Sequence, residues 1–513
     1  MPSSFNASLT FGNAPLQALS TRTYMTSTLV LIALSLLVRL LYLGVTDLLV
    51  EEAYYWNYAQ HLDFSYLDHP PMVAWLIKAS TSIFGNNEFG VRIPSLLCWL
   101  LTAFFSFKLT QLVSQGAGLY AVMLLSILPF FFLQSLVITP DQPLIVCWSA
   151  ALYFLYRALV LKENNAWYTS GIWLGLGLLS KYTIVLLGPA ILLYICITPS
   201  ARFWLLRKEP YLAALMALLL FTPVLYWNAQ HEWVSFLFQT TRRLEANTIF
   251  SLHHLLALLF FFLMPSGILN LSLLFKKSAV KSLNNSRESL RFFQIFILLP
   301  LMFFGLFSLT HAVKFNWIGP GLLAAVPWLA VLIKESIHCN KPMLYQSWLL
   351  TAVILLISYN SALFSINFGA PDLMYRTFFT KFIAWHDLTQ QIHALAEKTG
   401  TTPLILPLDR YETNSEFNFY ETKDAEQGLI KNHYAIQGQH LFGGESLMYQ
   451  YWLENTNLTG KMVILISNKQ SDFENPALIE KIADASPISE FWAHNQGRGA
   501  NIMPYYYQLA KIK

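Results

Sequence analysis

Apolar stretches long enough to cross a bilayer recur along the first 366 residues of the chain. A helix needs about 20 apolar residues to span the hydrocarbon core, where its backbone groups must satisfy one another. Only 12% of the 513 residues are charged, against about a quarter in soluble proteins. The sequence therefore predicts an α-helical polytopic membrane protein. The predicted spans are 25–45, 93–112, 117–136, 143–160, 211–227, 251–275, 292–309, 317–333 and 345–366, with a further apolar block at 167–199.

Basic residues in the short loops predict the orientation of these spans, because Lys and Arg near span ends are retained in the cytoplasm. Both flanks of the 167–199 block carry such residues, so the block must enter and leave on the same side. We interpret it as two short passes hinged near Ser180-Lys181, which gives about eleven spans. The N-terminus is then inside and the C-terminus outside, and the external loops are 46–91, 137–142, 228–250 and 310–316.

The composition changes after about residue 367, where long apolar runs end and polar residues become common. Residues 373–398 have helical spacing of apolar positions, and 403–408 and 462–467 are typical of buried strands. The sequence therefore predicts two domains: a transmembrane domain, 1–366, and a small extracytoplasmic α/β domain, 367–513.

The first external loop combines carboxylates with aromatic rings. Glu51, Tyr54, Tyr55 and Tyr58 recur at helical spacing, so one helix face would carry an acid beside several rings. Carbohydrate-active sites use this combination, since rings stack on sugars and a carboxylate accepts a hydroxyl proton. An aromatic belt at the membrane interface is equally consistent with these residues.

Two further acids lie beside prolines in external loops. Asp68, in Asp68-His69-Pro70-Pro71, is placed to cap a helix over 72–84, and His69 would then sit at a helix N-terminus, where a phosphate or metal can bind. Asp141 lies between two prolines and can cap the following span in the same way. Each residue therefore has a structural and a functional interpretation.

Basic residues also occur in external loops, against the usual inner bias. Arg242 and Arg243 lie in one such loop and Lys314 in another. This exception indicates an anion to be held, with phosphate the natural candidate, although anionic lipid headgroups would attract the same residues. Arg39 and Lys181 lie within apolar segments, where ionisable residues usually pair or face an internal cavity, although Lys181 can also extend to the inner surface.

Several motifs together resemble the bacterial protein O-mannosyltransferase and aminoarabinose-transferase superfamily, membrane glycosyltransferases of the GT-C class. The segments are EEAYYWNYAQHLDFSYLDHPP, ITPDQP, GLGLLSKYT, PVLYWNAQHEWVSFLFQ, KFNWIGP and DRYETNSEFNFY, spread in order along most of the chain. The resemblance implies an inverting transferase that takes a sugar from a polyprenyl-phosphate carrier and works on the outer side of the membrane. An outward-facing enzyme has no access to cytoplasmic nucleotide sugars, which agrees with a lipid-carried donor.

The resemblance also implies roles for particular residues. The family's acidic pair falls on Glu51 and Glu52, with its catalytic acid, usually aspartate, on Glu51, and its second acid falls on Asp141. The family's residue that meets the donor phosphate falls on His69. Arg242, Arg243 and Lys314 are further candidates for the phosphate, and Tyr54, Tyr55, Tyr58 and Asp68 for substrate binding. No cofactor is required, although a divalent metal near Asp68 and His231 is possible.

These observations predict a multi-pass protein of the bacterial inner membrane, with its active site and C-terminal domain on the periplasmic side. The expected acceptor is lipid A or lipopolysaccharide core. Protein O-glycosylation is the alternative within the class. A lipid flippase or transporter would also place ionisable residues in a membrane cavity, although such proteins commonly contain two related halves, which this sequence lacks.

Overall fold

The structure is a computed structural model, and it describes residues 21–241, 248–272, 275, 286–338, 348–350, 353, 384–453, 458–494 and 501–513. Helices dominate the described part of the chain before residue 340. They are α1 (Thr21–Tyr42), α2 (Val50–Gln60), α3 (Met72–Phe84), α4 (Glu88–Val113), α5 (Gly118–Ile127), α6 (Pro129–Gln134), α7 (Asp141–Leu159), α8 (Asn164–Leu178), α9 (Leu187–Ile197), α10 (Glu209–Gln230), α11 (Val234–Gln239), α12 (Leu252–Ser272), α13 (Ser286–Phe307) and α14 (Ala325–His338).

Most of these helices follow the predicted spans, but two spans are interrupted. The predicted span 117–136 is divided between α5 and α6, because Leu128, which precedes Pro129, has an extended backbone (ψ 133°). Helix α12 is interrupted at Met264, where φ is 57°. The predicted hinge near Ser180-Lys181 is confirmed, since Lys181 is extended and a short 3₁₀ helix follows it.

Among the described residues, four helices are long and apolar enough to cross a membrane, namely α1, α4, α10 and α13. The number rises to six if each of two bent helix pairs is one span. These helices indicate a multi-pass membrane protein. The count of about eleven spans stays a prediction, and much of the predicted span 345–366 lies outside the described residues.

The C-terminal part of the chain contains a sheet flanked by helices. Its elements are α15 (Trp385–Lys398), β1 (Leu404–Pro407), α16 (Glu412–Glu426), α17 (Tyr449–Trp452), β2 (Met462–Ser467), α18 (Pro476–Lys481), β3 (Ile482–Ala483), β4 (Ser489–His494) and β5 (Asn501–Ile512). The strand order is β1-β2-β5-β3, with β4 also paired to β5. Strand β1 is parallel to β2, and β5 is antiparallel to β2, β3 and β4. The two predicted buried strands are therefore confirmed, whereas the predicted domain boundary near 366 lies outside the described residues.

The C-terminal region packs directly onto the loop between α1 and α4, and the two parts share one apolar core. Helix α16 lies against α2, where the Asn418 amide donates to the side-chain oxygen of Asn57 at 3.0 Å. The Leu48 amide donates to the Tyr420 hydroxyl at 2.9 Å, and Lys423 pairs with Glu88 at 2.7 Å. These contacts place residues of the C-terminal region beside the acidic, tyrosine-rich loop.

Candidate active site

The two neighbouring acids at the start of α2 have different environments. Glu52 is fully buried and pairs with Arg92 at 2.7 Å. Its oxygens also accept hydrogen bonds from the backbone amides of Leu49 (3.0 Å) and Ile138 (2.9 Å). The Glu52 carboxylate is therefore fully occupied by partners within the protein. These partners connect α2 to α4 and to the loop before α7.

Glu51 is partly exposed, and it has no hydrogen bond or ion pair among the described residues. Consecutive helix positions point about 100° apart, so Glu51 projects away from the site that Glu52 fills. Its negative charge acts on the hydroxyl groups of Tyr55 and Tyr411. Of the two acids, Glu51 is the one whose carboxylate remains available to a ligand.

Two tyrosines of α2 donate hydrogen bonds to the carboxylate of Asp68, and the charge of Asp68 also acts on a third. The Tyr54 hydroxyl donates to Asp68 Oδ1 at 3.2 Å, and the Tyr58 hydroxyl donates to the same oxygen. Burial raises the pKa of Asp68, and the two hydroxyl bonds oppose this shift. Burial, followed by the charge of Asp68, raises the pKa of Tyr54, Tyr55 and Tyr58, so all three stay protonated at neutral pH.

The tyrosine rings lie in the core shared with the C-terminal region and are at most 6% exposed. Tyr58 stacks on Tyr66 with ring centroids 3.8 Å apart, and Tyr54 contacts Tyr411 at 4.9 Å. The described arrangement therefore uses these rings to hold Asp68 in place. Direct stacking of a substrate on them stays a prediction.

The predicted helix cap by Asp68 is wrong. Helix α3 begins after Pro71 with no side-chain cap, because the Asp68 carboxylate is already engaged by the tyrosine hydroxyls. His69 lies beside this carboxylate, with Nε2 3.9 Å from Asp68 Oδ2. The edge of its ring faces Tyr55, with centroids 5.6 Å apart.

Asp141 is the first residue of α7 and makes no capping bond, so that predicted cap is also wrong. Its carboxylate is buried and pairs with Lys181 at 2.8 Å. The Asn316 amide donates to its second oxygen at 2.6 Å. Neither partner was assigned to Asp141 by the sequence analysis, although both lie in motifs that carry the resemblance. The available signal was that an ionisable residue within an apolar segment usually has a partner.

The lysine and arginine residues predicted to bind the donor phosphate lie in two different loops of the chain. Lys314 is exposed in the loop after α13, two residues before Asn316, and its predicted role stays a prediction. Arg242 and Arg243 lie outside the described residues, so their predicted role remains a prediction.

Asp68 and His231, the two residues predicted as possible metal ligands, both have other contacts in the structure, and a metal near them stays a prediction. His231 stacks on Trp227 at 3.9 Å, and its Nδ1 lies 2.8 Å from the Trp227 carbonyl oxygen. One oxygen of Asp68 accepts from two tyrosines. Within the described ranges, no group of three or more His, Cys, Asp or Glu side chains is placed to hold a metal ion.

The C-terminal region contributes residues that the sequence analysis did not assign to the site. Tyr411 contacts Tyr54, and the Met448 amide donates to the Tyr54 hydroxyl at 3.3 Å. Glu416 is 1% exposed, and both of its carboxyl oxygens lack a hydrogen-bond partner among the described residues. Because helix α16 packs on α2, these groups lie near Glu51 and Asp68.

The chain resembles the GT-C membrane glycosyltransferases, as its motifs predicted. It has the fold of ArnT from Cupriavidus metallidurans, with a TM-score of 0.59 and 14% identity over 94% of this chain and 98% of that one in the apo state. The same protein bound to undecaprenyl phosphate gives a TM-score of 0.60 over the same shares, again at 14% identity.

The matches to a family model and to curated proteins each cover only part of the chain. Residues 68–227 match the family model described as dolichyl-phosphate-mannose-protein mannosyltransferase. Lipid A galacturonosyltransferase RgtD from Rhizobium johnstonii is 28% identical over 189 residues, which cover 36% of this chain and 40% of that protein. Undecaprenyl phosphate-alpha-4-amino-4-deoxy-L-arabinose arabinosyl transferase 2 from Proteus mirabilis is 25% identical over 174 residues, covering 33% of this chain and 32% of that protein. The chain thus spans two fifths or less of these curated relatives.

Proposed function

We propose that the protein is an inverting glycosyltransferase that moves a sugar from a polyprenyl-phosphate carrier to an outward-facing glycolipid, either lipid A or lipopolysaccharide core. The observation that carries the proposal is Glu51, a partly exposed carboxylate with no partner among the described residues. It lies one residue from Glu52, whose carboxylate is fully engaged. The names of the relatives support a lipid-linked donor and a lipid A acceptor.

In the proposed reaction, Glu51 accepts the proton of an acceptor hydroxyl. The acceptor oxygen forms a bond to the anomeric carbon while the bond from that carbon to the phosphate oxygen breaks. The polyprenyl phosphate leaves with the electron pair, and a single displacement inverts the anomeric centre.

The leaving phosphate gains negative charge, which fixed cations stabilise more strongly in a partly dry cavity than in water. His69 is the first candidate, since it lies beside Asp68 near the start of α3. Lys314, Arg242 and Arg243 are the others. We place this chemistry on the periplasmic side of the bacterial inner membrane, together with the C-terminal region that packs on α2.

A purified-enzyme assay tests the proposal. The protein in lipid nanodiscs is supplied with polyprenyl-phosphate-linked uronic acid, aminoarabinose or hexose and with lipid A, and mass spectrometry detects the product. We expect Glu51→Gln to lower transfer at least about a hundredfold, as loss of a general base does, with unchanged thermal unfolding. Glu490→Gln is the control, because Glu490 is an exposed acid on β4.

Near-normal transfer by Glu51→Gln would remove Glu51 from the mechanism, and failure of the wild-type protein with every donor would contradict the proposal. A transporter would keep moving lipid after neutralisation of this acid.

The second candidate function, transfer to a protein, is favoured by the name of the family model matched by residues 68–227. Replacing lipid A with a Ser/Thr-rich peptide in the same assay distinguishes the two acceptors.

A further inference from the structure

The segment between β1 and α16 extends from the C-terminal sheet toward the candidate site. Its last residue, Tyr411, contacts the ring of Tyr54 with centroids 4.9 Å apart, and the Tyr54 hydroxyl donates to Asp68 at 3.2 Å. After burial, the negative charges of Glu51, Glu412 and Asp68 raise the pKa of the Tyr411 hydroxyl. Tyr411 is thus close to the carboxylates of both Glu51 and Asp68.

The backbone of this segment is held by three local hydrogen bonds. The Asp409 carboxylate accepts from the Thr413 amide at 3.1 Å, and the Glu412 carboxylate accepts from the Tyr411 amide at 2.9 Å. The Ser415 hydroxyl donates to the Tyr411 carbonyl oxygen at 2.6 Å. These bonds fix the backbone from which the Tyr411 side chain projects.

Arg410, the preceding residue, provides a cation that a ligand can reach. Its side chain is 42% exposed and pairs with Glu445 at 2.6 Å, the latter being 32% exposed. Its positive charge also acts on the Asp68 carboxyl. An exposed ion pair contributes only about 1 kcal/mol or less, so an anionic ligand can replace Glu445 as the partner of Arg410.

We propose that Arg410 and Tyr411 form the acceptor-binding segment of the enzyme. Arg410 binds a phosphate on the glycolipid headgroup in exchange for Glu445, since its planar guanidinium suits two oxygens of one phosphate. Tyr411 contacts the sugar whose hydroxyl faces Glu51. The inference rests on the proposed function and adds that the C-terminal region selects the acceptor.

The proposed competition between Glu445 and the acceptor phosphate for Arg410 predicts opposite changes in the KM for lipid A when either residue is substituted. Initial rates are measured for the full-length protein with lipid A varied at saturating donor, and then with the donor varied. We expect Arg410→Gln to raise the KM for lipid A roughly fivefold without changing the donor KM. Glu445→Gln should lower the KM for lipid A, because it removes the internal competitor. A merely structural ion pair would shift both variants in the same direction.

The control is another exposed ion pair of the C-terminal region, Lys511–Asp484, whose atoms lie 3.0 Å apart. Asp484→Asn should leave both KM values unchanged. The donor and the acceptor both carry phosphate. A second experiment therefore uses lipid A from which the phosphates have been removed, to show which phosphate Arg410 binds. The effect of Arg410→Gln should disappear with that acceptor.

Tyr411 is tested separately with two substitutions. Tyr411→Phe keeps the ring and should retain the KM for lipid A within about twofold, whereas Tyr411→Ala should raise it several-fold, as loss of a stacking ring does. Thermal unfolding is measured alongside, and Tyr411→Phe shows whether a loss seen with alanine belongs to the ring or to the fold.

Four outcomes would overturn the inference: an unchanged KM for lipid A in Arg410→Gln, a changed donor KM in that variant, the same direction of change in Arg410→Gln and Glu445→Gln, or an undiminished effect with dephosphorylated lipid A. If the wild-type protein transfers sugar and Arg410→Gln behaves like it, only this inference fails. If the wild-type protein transfers no sugar, the proposed function fails first.

Discussion

Lys181 Nζ lies 2.8 Å from Asp141 Oδ1, and both side chains are buried. Asp141 begins α7, Lys181 separates α8 from the short 3₁₀ helix, and Asn316 reaches the same carboxylate from the loop after α13. One carboxylate therefore joins three segments that are far apart in the chain. Such a pair is sensitive to the loss of either partner, since a lone charge would remain buried.

We expect Lys181→Met to lower the stability of the folded protein by about 3–5 kcal/mol, the usual effect of removing one partner from a buried ion pair. Thermal unfolding of the detergent-solubilised protein, followed by tryptophan fluorescence, measures the change. The double variant Asp141→Asn/Lys181→Gln keeps a polar contact without charge and should be more stable than Lys181→Met. Equal losses in the two variants would contradict the assignment of the effect to an uncompensated charge.

The pair formed by Glu52 and Arg92 leads to a prediction that separates the two neighbouring acids. Glu52→Gln leaves the buried Arg92 without the carboxylate that it pairs with, so we expect a loss of about 3–5 kcal/mol. Glu51→Gln should change stability by no more than about 0.5 kcal/mol, because Glu51 has no described partner. The same unfolding assay compares the two variants. A Glu51→Gln variant that unfolds as readily as Glu52→Gln would show that Glu51 has a structural role.

The sequence predicted features that depend on local pattern. Apolar length predicted most helices of the membrane region, and the apolar runs at 403–408 and 462–467 predicted strands β1 and β2. The break at Lys181 was predicted because both flanks of the 167–199 block carry basic residues and must lie on the same side of the membrane. Each of these features depends on the local sequence and on the need to cross a membrane. A single sequence is therefore enough to predict them.

The sequence could not predict which distant residues meet. The helix cap, one of the two interpretations open for Asp68 and Asp141, followed from the neighbouring prolines, but each carboxylate has stronger partners from elsewhere in the fold. The role of Glu52 depends on Arg92, which is 40 positions away. The contribution of Tyr411 depends on how the C-terminal region packs on α2, which no local periodicity encodes.

A third prediction concerns the attachment of the C-terminal region to the membrane domain. Lys423 on α16 pairs with Glu88 at the start of α4 at 2.7 Å, and both side chains are mostly buried. Lys423→Met should therefore loosen this contact and lower stability by about 1–3 kcal/mol. Limited proteolysis should then cleave the C-terminal region faster than in the wild-type protein. Unchanged cleavage rates would show that the shared apolar core and the other hydrogen bonds hold the two parts together without this ion pair.

The last prediction concerns Glu416, which is buried at the contact between α16 and α2. Burial raises the pKa of Glu416 well above its usual value, and the charges of Asp47, Glu52 and Glu51 add to this shift while Arg92 opposes it. A carboxyl group whose pKa is higher in the folded state binds its proton more tightly there than in the unfolded chain. Stability therefore falls as the pH rises above about 4.5, where the unfolded group ionises.

Glu416→Gln removes this titration and keeps nearly the same shape. We expect the variant to be more stable than the wild-type protein at pH 8, with the difference shrinking toward zero near pH 4, in unfolding experiments across that range. Asp47 also has a raised pKa and contributes a slope of the same sign, so the quantity to compare is the difference between the two proteins at each pH. Glu490→Gln, at an exposed site, should show no such trend. Parallel curves for Glu416→Gln and the wild-type protein would show that Glu416 is ionised in the folded state, and its negative charge would then act on Glu51 directly.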